Sequence, residues 1–283
     1  MKKIFIIGGT GFIGKRLVKK LIEMNKYDLT LLVRNNEESR DFNVKTKIGD
    51  MFDKESVEKA MEKYDVVMHL ASSHLKGKEF ENYNGAENII EACKKTKIGR
   101  IIFISSMAAK RNFLDDYGQT KLKIEDLIKK SGINYTIFRP SMVYSEDYLS
   151  QIGRSLNSIP LIIPMIGYGN YKMSPLFIED LVNIIAESIE NKKTINKIYD
   201  VTPEEKIRFN EIIDLCKTRF KNNKIKIHVP IFICSAVFKI IPFMSAEALK
   251  GINEDTNPDL NELKKDFKII PRNFSEGIKN VNI

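Results

Sequence analysis

Three residues in the middle of the chain have side chains suited to proton transfer: Ser106, Tyr117 and Lys121. Tyr117 and Lys121 are four residues apart, and residues at that spacing lie on one face of a helix. We expect the Lys121 ammonium to lower the pKa of Tyr117 from about 10 toward neutrality. The phenolate would then take a proton from an alcohol while hydride leaves the carbon, with Ser106 hydrogen-bonded to the same oxygen. The alternative is an ordinary surface pair in a lysine-rich chain.

A strand, a turn and a helix within residues 3–22 would position this chemistry. The apolar run from Lys3 to Ile7 predicts a buried parallel strand. Gly8, Gly11 and Gly14 follow at three-residue spacing, and residues 15–22 have a helical period. One glycine would permit the turn, one the approach of a pyrophosphate, and one close packing of helix on strand. Backbone amides at such a helix start bind phosphate, so the stretch predicts dinucleotide binding; an ordinary strand-to-helix turn is the alternative.

Further buried strands alternate with helices, which predicts an α/β fold: a Rossmann-type, doubly wound parallel sheet with helices on both faces. The predicted strands are residues 28–33, 46–48, 65–71, 100–104, 134–138 and 198–201. The predicted helices are residues 53–63 (with Asp53 as N-cap), 81–93, 116–130 and 175–190. Ligands of such folds bind at the carboxyl ends of the strands.

The alternation stops after residue 150, which predicts a second, smaller lobe. Residues 1–150 form the predicted nucleotide-binding domain, which residues 175–201 complete. Residues 151–174, rich in proline and glycine, predict an irregular connection, and residues 202–283 predict mostly helices. These two stretches together would form a mostly helical C-terminal substrate lobe.

Arg34 stands at the end of the second predicted strand, where many NAD-binding units have an acidic residue for the ribose hydroxyls. A guanidinium can pair with a 2′-phosphate, whereas a carboxylate would repel it. The sequence therefore favours NADP, with NAD and a merely solvated arginine as the alternatives.

Composition and charge argue against several other functions. The net charge is +9, but the lysines are scattered without an accompanying aromatic motif, so we predict no nucleic-acid partner. No apolar run reaches the ~18 residues of a membrane span. The nearest, residues 229–244, predicts a helix packed on its own domain or, alternatively, an amphipathic surface helix. Three cysteines without paired spacing, and no secretory signal, predict reduced thiols in the cytoplasm (Cys93, Cys216 and Cys234).

The three histidines, His69, His74 and His228, have no carboxylate or cysteine at ligand spacing, so we predict no metal site. His69 lies in a predicted strand and is expected to be a core histidine with satisfied hydrogen bonds.

Taken in order, these segments resemble the short-chain dehydrogenase/reductase superfamily, in its extended and atypical NAD(P)-dependent epimerase/dehydratase branch. The matching segments are residues 8–14, 69–72, 82–88, 138–144 and 178–182, together with Ser106, Tyr117 and Lys121. The resemblance implies that these three residues are catalytic, that Tyr117 and Lys121 also contact the cofactor, and that hydride passes between nicotinamide and a secondary alcohol or ketone. The substrate it implies is a nucleotide-linked sugar.

The resemblance also implies roles for individual binding residues. The expected cofactor contacts are Gly8, Thr10, Gly11, Phe12, Ile13, Gly14, Asp50, Met51, Leu70, Ala71, Ser72, Pro140 and Val143, besides Arg34. Asp50 would accept a hydrogen bond from the adenine amine. Asn82 is an expected substrate contact, and Arg154 and Arg208 would bind a diphosphate or belong to a solvated basic face. A homodimer contact through the helices around residues 80–95 and 116–130 is also implied.

Some features depart from typical nucleotide-sugar epimerases. Only ten residues separate Ser106 from Tyr117, and Lys110 stands where those enzymes often have a tyrosine. Residues 160–180 and 245–277 are more similar to the atypical members, which include an accessory subunit of respiratory complex I. The rival interpretation is therefore a non-catalytic NAD(P)H-binding module, either a redox sensor or an assembly subunit. The complete serine, tyrosine and lysine set favours an enzyme.

Overall fold

The computed structural model describes residues 1–72, 79–112, 114–157, 161–229 and 257–280. Its centre is a parallel sheet of seven strands. They are β1 (Lys2–Ile7), β2 (Tyr27–Val33), β3 (Lys45–Ile48), β4 (Val66–His69), β5 (Arg100–Ile104), β6 (Asn134–Pro140) and β11 (Lys197–Val201). Their spatial order is β11-β6-β5-β4-β1-β2-β3. The prediction of a Rossmann-type sheet is confirmed.

Helices cover both faces of this sheet: α1 (Phe12–Met24), α2 (Lys54–Ala60), α3 (Glu79–Lys95), α4 (Asp116–Lys130), α6 (Ile178–Ser188) and α8 (Asn261–Asp266). The other helices, α5 (Glu146–Asn157), α7 (Phe209–Arg219) and α9 (Phe274–Gly277), pack in the smaller lobe. Strand β1 shows why the sheet is buried on both sides. Ile4 and Ile6 pack in one apolar cluster with α1 and α6, whereas Phe5 and Ile7 pack in a second cluster with α2, α3 and α4. Successive side chains of a strand point to opposite faces, so a continuous apolar run fills both clusters.

The predicted cap of the second helix is confirmed. Asp53 precedes α2, and its side chain accepts hydrogen bonds from the backbone N–H groups of Glu55 at 3.1 Å and Ser56 at 3.4 Å. These bonds satisfy two amides that a helix start otherwise leaves unpaired.

Three two-stranded sheets build the smaller lobe around a third apolar cluster. They pair β7 (Val143–Tyr144) with β10 (Leu176–Phe177), β9 (Lys172–Met173) with β12 (Ile207–Arg208), and β8 (Ile162–Ile166) with β13 (Ile225–Val229). The prediction of an irregular connection over residues 151–174 is therefore wrong: it holds the end of α5, then β8 and β9. The described part of residues 202–283 contains two short strands besides its helices. His74, Cys234 and residues 230–244 of the predicted apolar helix lie outside the described residues.

The described tail, residues 257–280, returns to the body of the protein. Phe267 packs in the first cluster and Phe274 in the third. Between them, Arg272 donates to the buried carboxylate of Asp180 through Nε at 3.0 Å and Nη2 at 2.8 Å, and its guanidinium lies over the Phe177 ring. A two-bond arginine–carboxylate pair fixes both distance and orientation. Across the described ranges, the helices are all too short or too polar to span a bilayer.

Candidate active site

The turn between β1 and α1 can only be built from glycine at two positions. Gly8 has φ +84°, and a Cβ there would lie 2.5 Å from the backbone N of Ala71. A Cβ on Gly14 would lie 2.1 Å from the carbonyl oxygen of Gly8. Helix α1 starts after Gly11 without a side-chain cap and has no acidic residue in its first turn. Its first amides thus present a partial positive charge that suits a phosphate.

A cleft of about 420 Å³ opens beside this turn, at the carboxyl ends of β1, β2 and β4. Its lining includes the sequence-predicted residues Gly8, Thr10, Gly11, Phe12, Ile13, Gly14, Arg34, Asp50, Met51, Leu70, Ala71, Ser72 and Asn82. The glycine turn and the uncapped start of α1 stand at one wall of this cleft, so it fits the dinucleotide that the sequence predicts. Asn82, expected at the substrate, lies in this nucleotide cleft.

Ser106 and Tyr117 meet because a turn packs tightly on α4. Ser106 caps the 3₁₀ turn Met107–Lys110, and its Oγ accepts from the N–H of Ala108 at 3.1 Å. A Cβ on Gly118 would lie 2.5 Å from the carbonyl oxygen of Ala108, so only glycine permits this approach. The hydroxyls of Ser106 and Ser72 lie close enough to the Tyr117 phenol to lower its pKa. Because Ser72 also lines the cleft, the phenol adjoins it. The sequence analysis did not single out Gly118, although a glycine next to Tyr117 in a predicted helix could have indicated a close contact there.

The prediction that Lys121 lowers the pKa of Tyr117 is wrong in this structure. Burial is the largest effect on the phenol and raises its pKa to about 12, while the bonds from Ser106 and Ser72 act in the opposite direction. Lys121 is itself only 3% exposed, and its Nζ donates to the carbonyl oxygen of Ile104 at 3.0 Å, 5.7 Å from the Tyr117 ring centroid. Burial lowers the pKa of Lys121 to about 7. Each side chain therefore favours its neutral form.

Pro140 and Val143 stand at the end of β6 and the start of β7. Arg208 lies in β12, exposed, with its guanidinium 3.9 Å from the carboxylate of Glu211. Arg154 lies in α5, and its side chain is outside the described part of the structure. The structure thus brings the glycine turn, Ser72 and the Ser106–Tyr117 pair together, whereas Arg208 lies in the smaller lobe with an exposed side chain.

Arg34 has a partner that sequence reasoning missed. Glu38 lines the same cleft and accepts hydrogen bonds from the Arg34 Nε at 2.9 Å and backbone N at 3.3 Å. The Arg34 side chain is 71% exposed. The i, i+4 spacing of an arginine and a glutamate was the available signal. A carboxylate therefore stands beside the guanidinium that was expected to meet a 2′-phosphate.

His69 is buried, as expected, but its hydrogen bonds are not all satisfied. Its Nδ1 has no partner among the described residues, so that part of the expectation is wrong. Burial first, and then the charge of Lys121, lower its pKa to about 3. Within the described residues, no three His, Cys, Asp or Glu side chains group closely enough to hold a metal ion.

Comparison with known proteins adds a family to this geometry. The model of the NAD(P)H-binding family matches residues 8–155, just over half of the 283 residues. The chain belongs to this family. The matched range holds the glycine turn, the cleft lining from Gly8 to Asn82 and the Ser106–Tyr117 pair.

Among curated NAD(P)H-binding relatives, two are distant in sequence but long in coverage. The N-acetyl-α-D-glucosaminyl-diphospho-ditrans,octacis-undecaprenol 4-epimerase of Escherichia coli O157:H7 is 22% identical over 252 residues, covering 80% of this chain and 75% of that protein. The NADH dehydrogenase [ubiquinone] 1 alpha subcomplex subunit 9 of Dictyostelium discoideum is 24% identical over 223 residues, covering 74% of this chain and 62% of that protein.

The Thermotoga maritima UDP-glucose 4-epimerase, solved with UDP-glucose, superposes with a TM-score of 0.79 at 19% identity, covering 99% of this chain and 97% of that chain. At that identity the likeness establishes the fold. The resemblance to an NAD(P)-binding epimerase/dehydratase-type family, expected from the sequence, is confirmed.

Proposed function

We propose that this NAD(P)H-binding protein is an oxidoreductase or epimerase that moves hydride between the nicotinamide and a secondary alcohol or ketone. The observation that carries the proposal is the placement of the Tyr117 phenol: the hydroxyls of Ser106 and Ser72 both lower its pKa, and Ser72 lines the glycine cleft. A phenol with two hydroxyls nearby, beside a dinucleotide cleft, can pass one proton to or from a substrate oxygen.

Each residue of the site has a separate role in this proposal. A bound nicotinamide would supply the hydride donor or acceptor. Tyr117 is protonated at neutral pH, since its pKa is raised to about 12, so it is suited to donate a proton to a ketone oxygen. Ser106 orients that oxygen. Lys121 acts behind the phenol, where its ammonium favours the phenolate that proton donation leaves.

The proposed substrate is a nucleotide-linked sugar. Two similar proteins are named as 4-epimerases of diphosphate-linked sugars, which supports a sugar on a diphosphate. We assign the diphosphate to Arg154 and Arg208, in keeping with the anion preference of a chain with net charge +9. We also propose a cytoplasmic location, since the buried Cys93 and Cys216 are free thiols.

A homodimer through α3 and α4 completes the proposal. Phe80, at the start of α3, is 74% exposed, and together with Tyr83 and Leu127 it lines a groove between these two helices. An apolar side chain so exposed at a groove suits burial against a second copy. Sedimentation of the Phe80→Glu variant is the measurement: a wild-type dimer and a variant monomer are expected.

The experiment that tests the function has two steps. Denaturing the purified protein and identifying released nucleotide by mass spectrometry shows whether a nicotinamide dinucleotide is carried. UDP-glucose and UDP-N-acetylglucosamine are then incubated with the protein and each cofactor, and the products are separated from their C4 epimers by chromatography. Conversion that requires Tyr117 supports the proposal. A protein that binds the dinucleotide and converts neither these sugars nor a panel of secondary ketones contradicts it.

The second candidate function, a non-catalytic NAD(P)H-binding module, has one observation in its favour. Burial favours the neutral forms of both Tyr117 and Lys121, with pKa values displaced to about 12 and about 7. An unreactive pair of this kind serves a sensor or assembly subunit as well as an enzyme, and one relative is named as an NADH dehydrogenase subunit.

NADP is the cofactor we propose, with Glu38 as the residue that limits preference for it. In the structure Glu38 holds Arg34 through three contacts. Replacing Glu38 by Gln would free the guanidinium and remove a charge that repels a 2′-phosphate. We expect NADPH to bind roughly 1.5- to fivefold more tightly, the range of one exposed ion pair, and NADH affinity to stay nearly unchanged.

Fluorescence titration with each nucleotide measures this preference, and Glu37→Gln is the matched control. Glu37 lies on the same turn and pairs with Arg40 rather than Arg34. A wild-type protein that binds NADH more tightly than NADPH would overturn the assignment of NADP.

A further inference from the structure

Glu125 is a buried acid that the proposed chemistry does not use. It lies one helical turn beyond Lys121 on α4 and is 0% exposed. Its carboxylate accepts from the Ser105 Oγ at 2.5 Å and from the Arg139 Nε at 2.9 Å and Nη2 at 2.5 Å. Removing a carboxylate from water costs several kcal/mol, so a fully buried one persists only with bonds of this quality.

Both partners of Glu125 adjoin residues of the candidate site. Ser105 directly precedes Ser106, and Arg139 directly precedes Pro140. The backbone N–H of Ser105 also donates to the Phe138 carbonyl at 2.7 Å. One carboxylate thus ties α4 to the ends of β5 and β6, the three segments that carry the catalytic serine, the tyrosine and the nicotinamide-facing proline.

Glu125 is also the charged neighbour of the Lys121 ammonium. The titratable groups around Lys121 are Tyr117 and Glu125 on α4, His69 at the end of β4, and Arg139 on β6 behind Glu125. Tyr117 and His69 are neutral near pH 7, because their pKa values are about 12 and about 3. Burial lowers the pKa of Lys121 to about 7, and Glu125 opposes this fall.

The positive charge of Arg139, which pairs with Glu125, has a second carboxylate nearby. The Arg139 Nη1 lies 3.8 Å from the carboxylate of Asp200, which also accepts from Lys110 at 2.6 Å and from the backbone N–H of Asp259 at 2.8 Å. Because Arg139 interacts with Asp200 as well as with Glu125, it offsets the negative charge of Glu125 only in part. The carboxylate of Glu125 therefore still stabilises the Lys121 ammonium.

We propose that Glu125 is a positioning residue of this site: its carboxylate keeps Lys121 an ammonium and holds Ser106 and Pro140 in register with Tyr117. The proposal builds on the proposed function, in which the ammonium favours the phenolate. As pH rises through the pKa of Lys121, the ammonium is lost, so without Glu125 this loss occurs at lower pH.

The test follows Lys121 directly. In protein labelled with ¹³C-lysine, the Cε signal of Lys121, identified by its absence from a Lys121→Met variant, is recorded against pH by NMR. The wild-type midpoint is expected near 7. Glu125→Gln keeps the size and one acceptor oxygen but removes the charge, and we expect its midpoint to fall by about one pH unit.

The matched control is Asp126→Asn, an acid-to-amide change at the next position of α4. Asp126 is half-exposed and pairs with Lys129, so its replacement should leave the Lys121 midpoint in place. If Glu125→Gln lowers the melting temperature but does not move that midpoint, Glu125 has a structural role only and the proposal is overturned.

Two additions keep the test decisive. Should Glu125→Gln fail to fold with Arg139 left unpaired, the double variant Glu125→Gln/Arg139→Gln is compared with Arg139→Gln alone, and equal midpoints in those two proteins overturn the proposal. Activity gives an independent measurement: the alkaline limb of turnover against pH should move to lower pH in Glu125→Gln. If Tyr117→Phe retains full activity, the proposed function fails, while the NMR midpoint still decides the role of Glu125.

Discussion

Replacing Tyr117 by Phe should lower turnover by about 10²- to 10⁴-fold, the contribution of a positioned proton donor. The phenol oxygen is the group whose pKa Ser106 and Ser72 affect, and Phe removes that oxygen while keeping the ring. The cleft lining does not include Tyr117, so we expect the dinucleotide cleft to stay in place. Single-turnover kinetics with saturating cofactor, beside a nucleotide titration, separates lost chemistry from lost binding.

Tyr135→Phe is the control for this change. Tyr135 is a half-buried tyrosine near the start of β6, at the opposite edge of the sheet from the site, so its hydroxyl should be dispensable for turnover. Equal turnover in wild type and Tyr117→Phe would remove the catalytic assignment and favour the binding module. A loss of nucleotide affinity as large as the loss of turnover would place Tyr117 in binding instead.

Gly14→Ala should destabilise the protein and abolish nucleotide binding together. The added Cβ would lie 2.1 Å from the Gly8 oxygen and 2.8 Å from two backbone atoms of Gly9, none of which can rotate away. Overpacking of this kind typically costs about 1–3 kcal/mol, occasionally more, which exceeds the ~1 kcal/mol that alanine gains over glycine in a helix. The measurements are urea unfolding midpoints and nucleotide titration by fluorescence.

Gly11→Ala provides a graded comparison within the same turn. Its Cβ would lie 3.3 Å from the Gly8 oxygen, a contact that a few tenths of an ångström would relieve. We expect a much smaller change in unfolding midpoint than for Gly14→Ala. If the two variants unfold at the same urea concentration, the close packing of α1 on β1 is not what requires Gly14.

Local signals were enough to predict much of this fold. The apolar run of β1, the three glycines and Asp53 each act on residues nearby in the chain, and each has its predicted place in the structure. The cleft lining followed because the carboxyl ends of parallel strands meet at one edge of a sheet. The catalytic roles of Ser106, Tyr117 and Lys121 stay predictions until turnover is measured.

The errors arose where distant segments decide the outcome. The prolines and glycines of residues 151–174 favour a loop locally, but Ile162 pairs with Ile225, 63 residues away, and makes β8 a strand. The pKa of Tyr117 depends on burial by the whole fold, which the spacing to Lys121 does not contain. The contact of Glu38 with Arg34 could have been predicted from the sequence, because the two residues are only four positions apart.

The path of the chain limits how this protein could be recombined with a relative. Strand β11 completes the sheet beside β6, and α6 packs in the first apolar cluster with α1, although both follow the first part of the smaller lobe in sequence. A chimaera with one crossover at residue 150 would therefore take an edge strand and a covering helix of the sheet from the wrong parent. Exchange of the lobe needs two separate inserts, replacing residues 143–177 and 202–229, so that β7, β10 and the whole of α5 move together. The C-terminal tail must then suit both parents at once, because Phe267 packs with the sheet and Phe274 with the lobe.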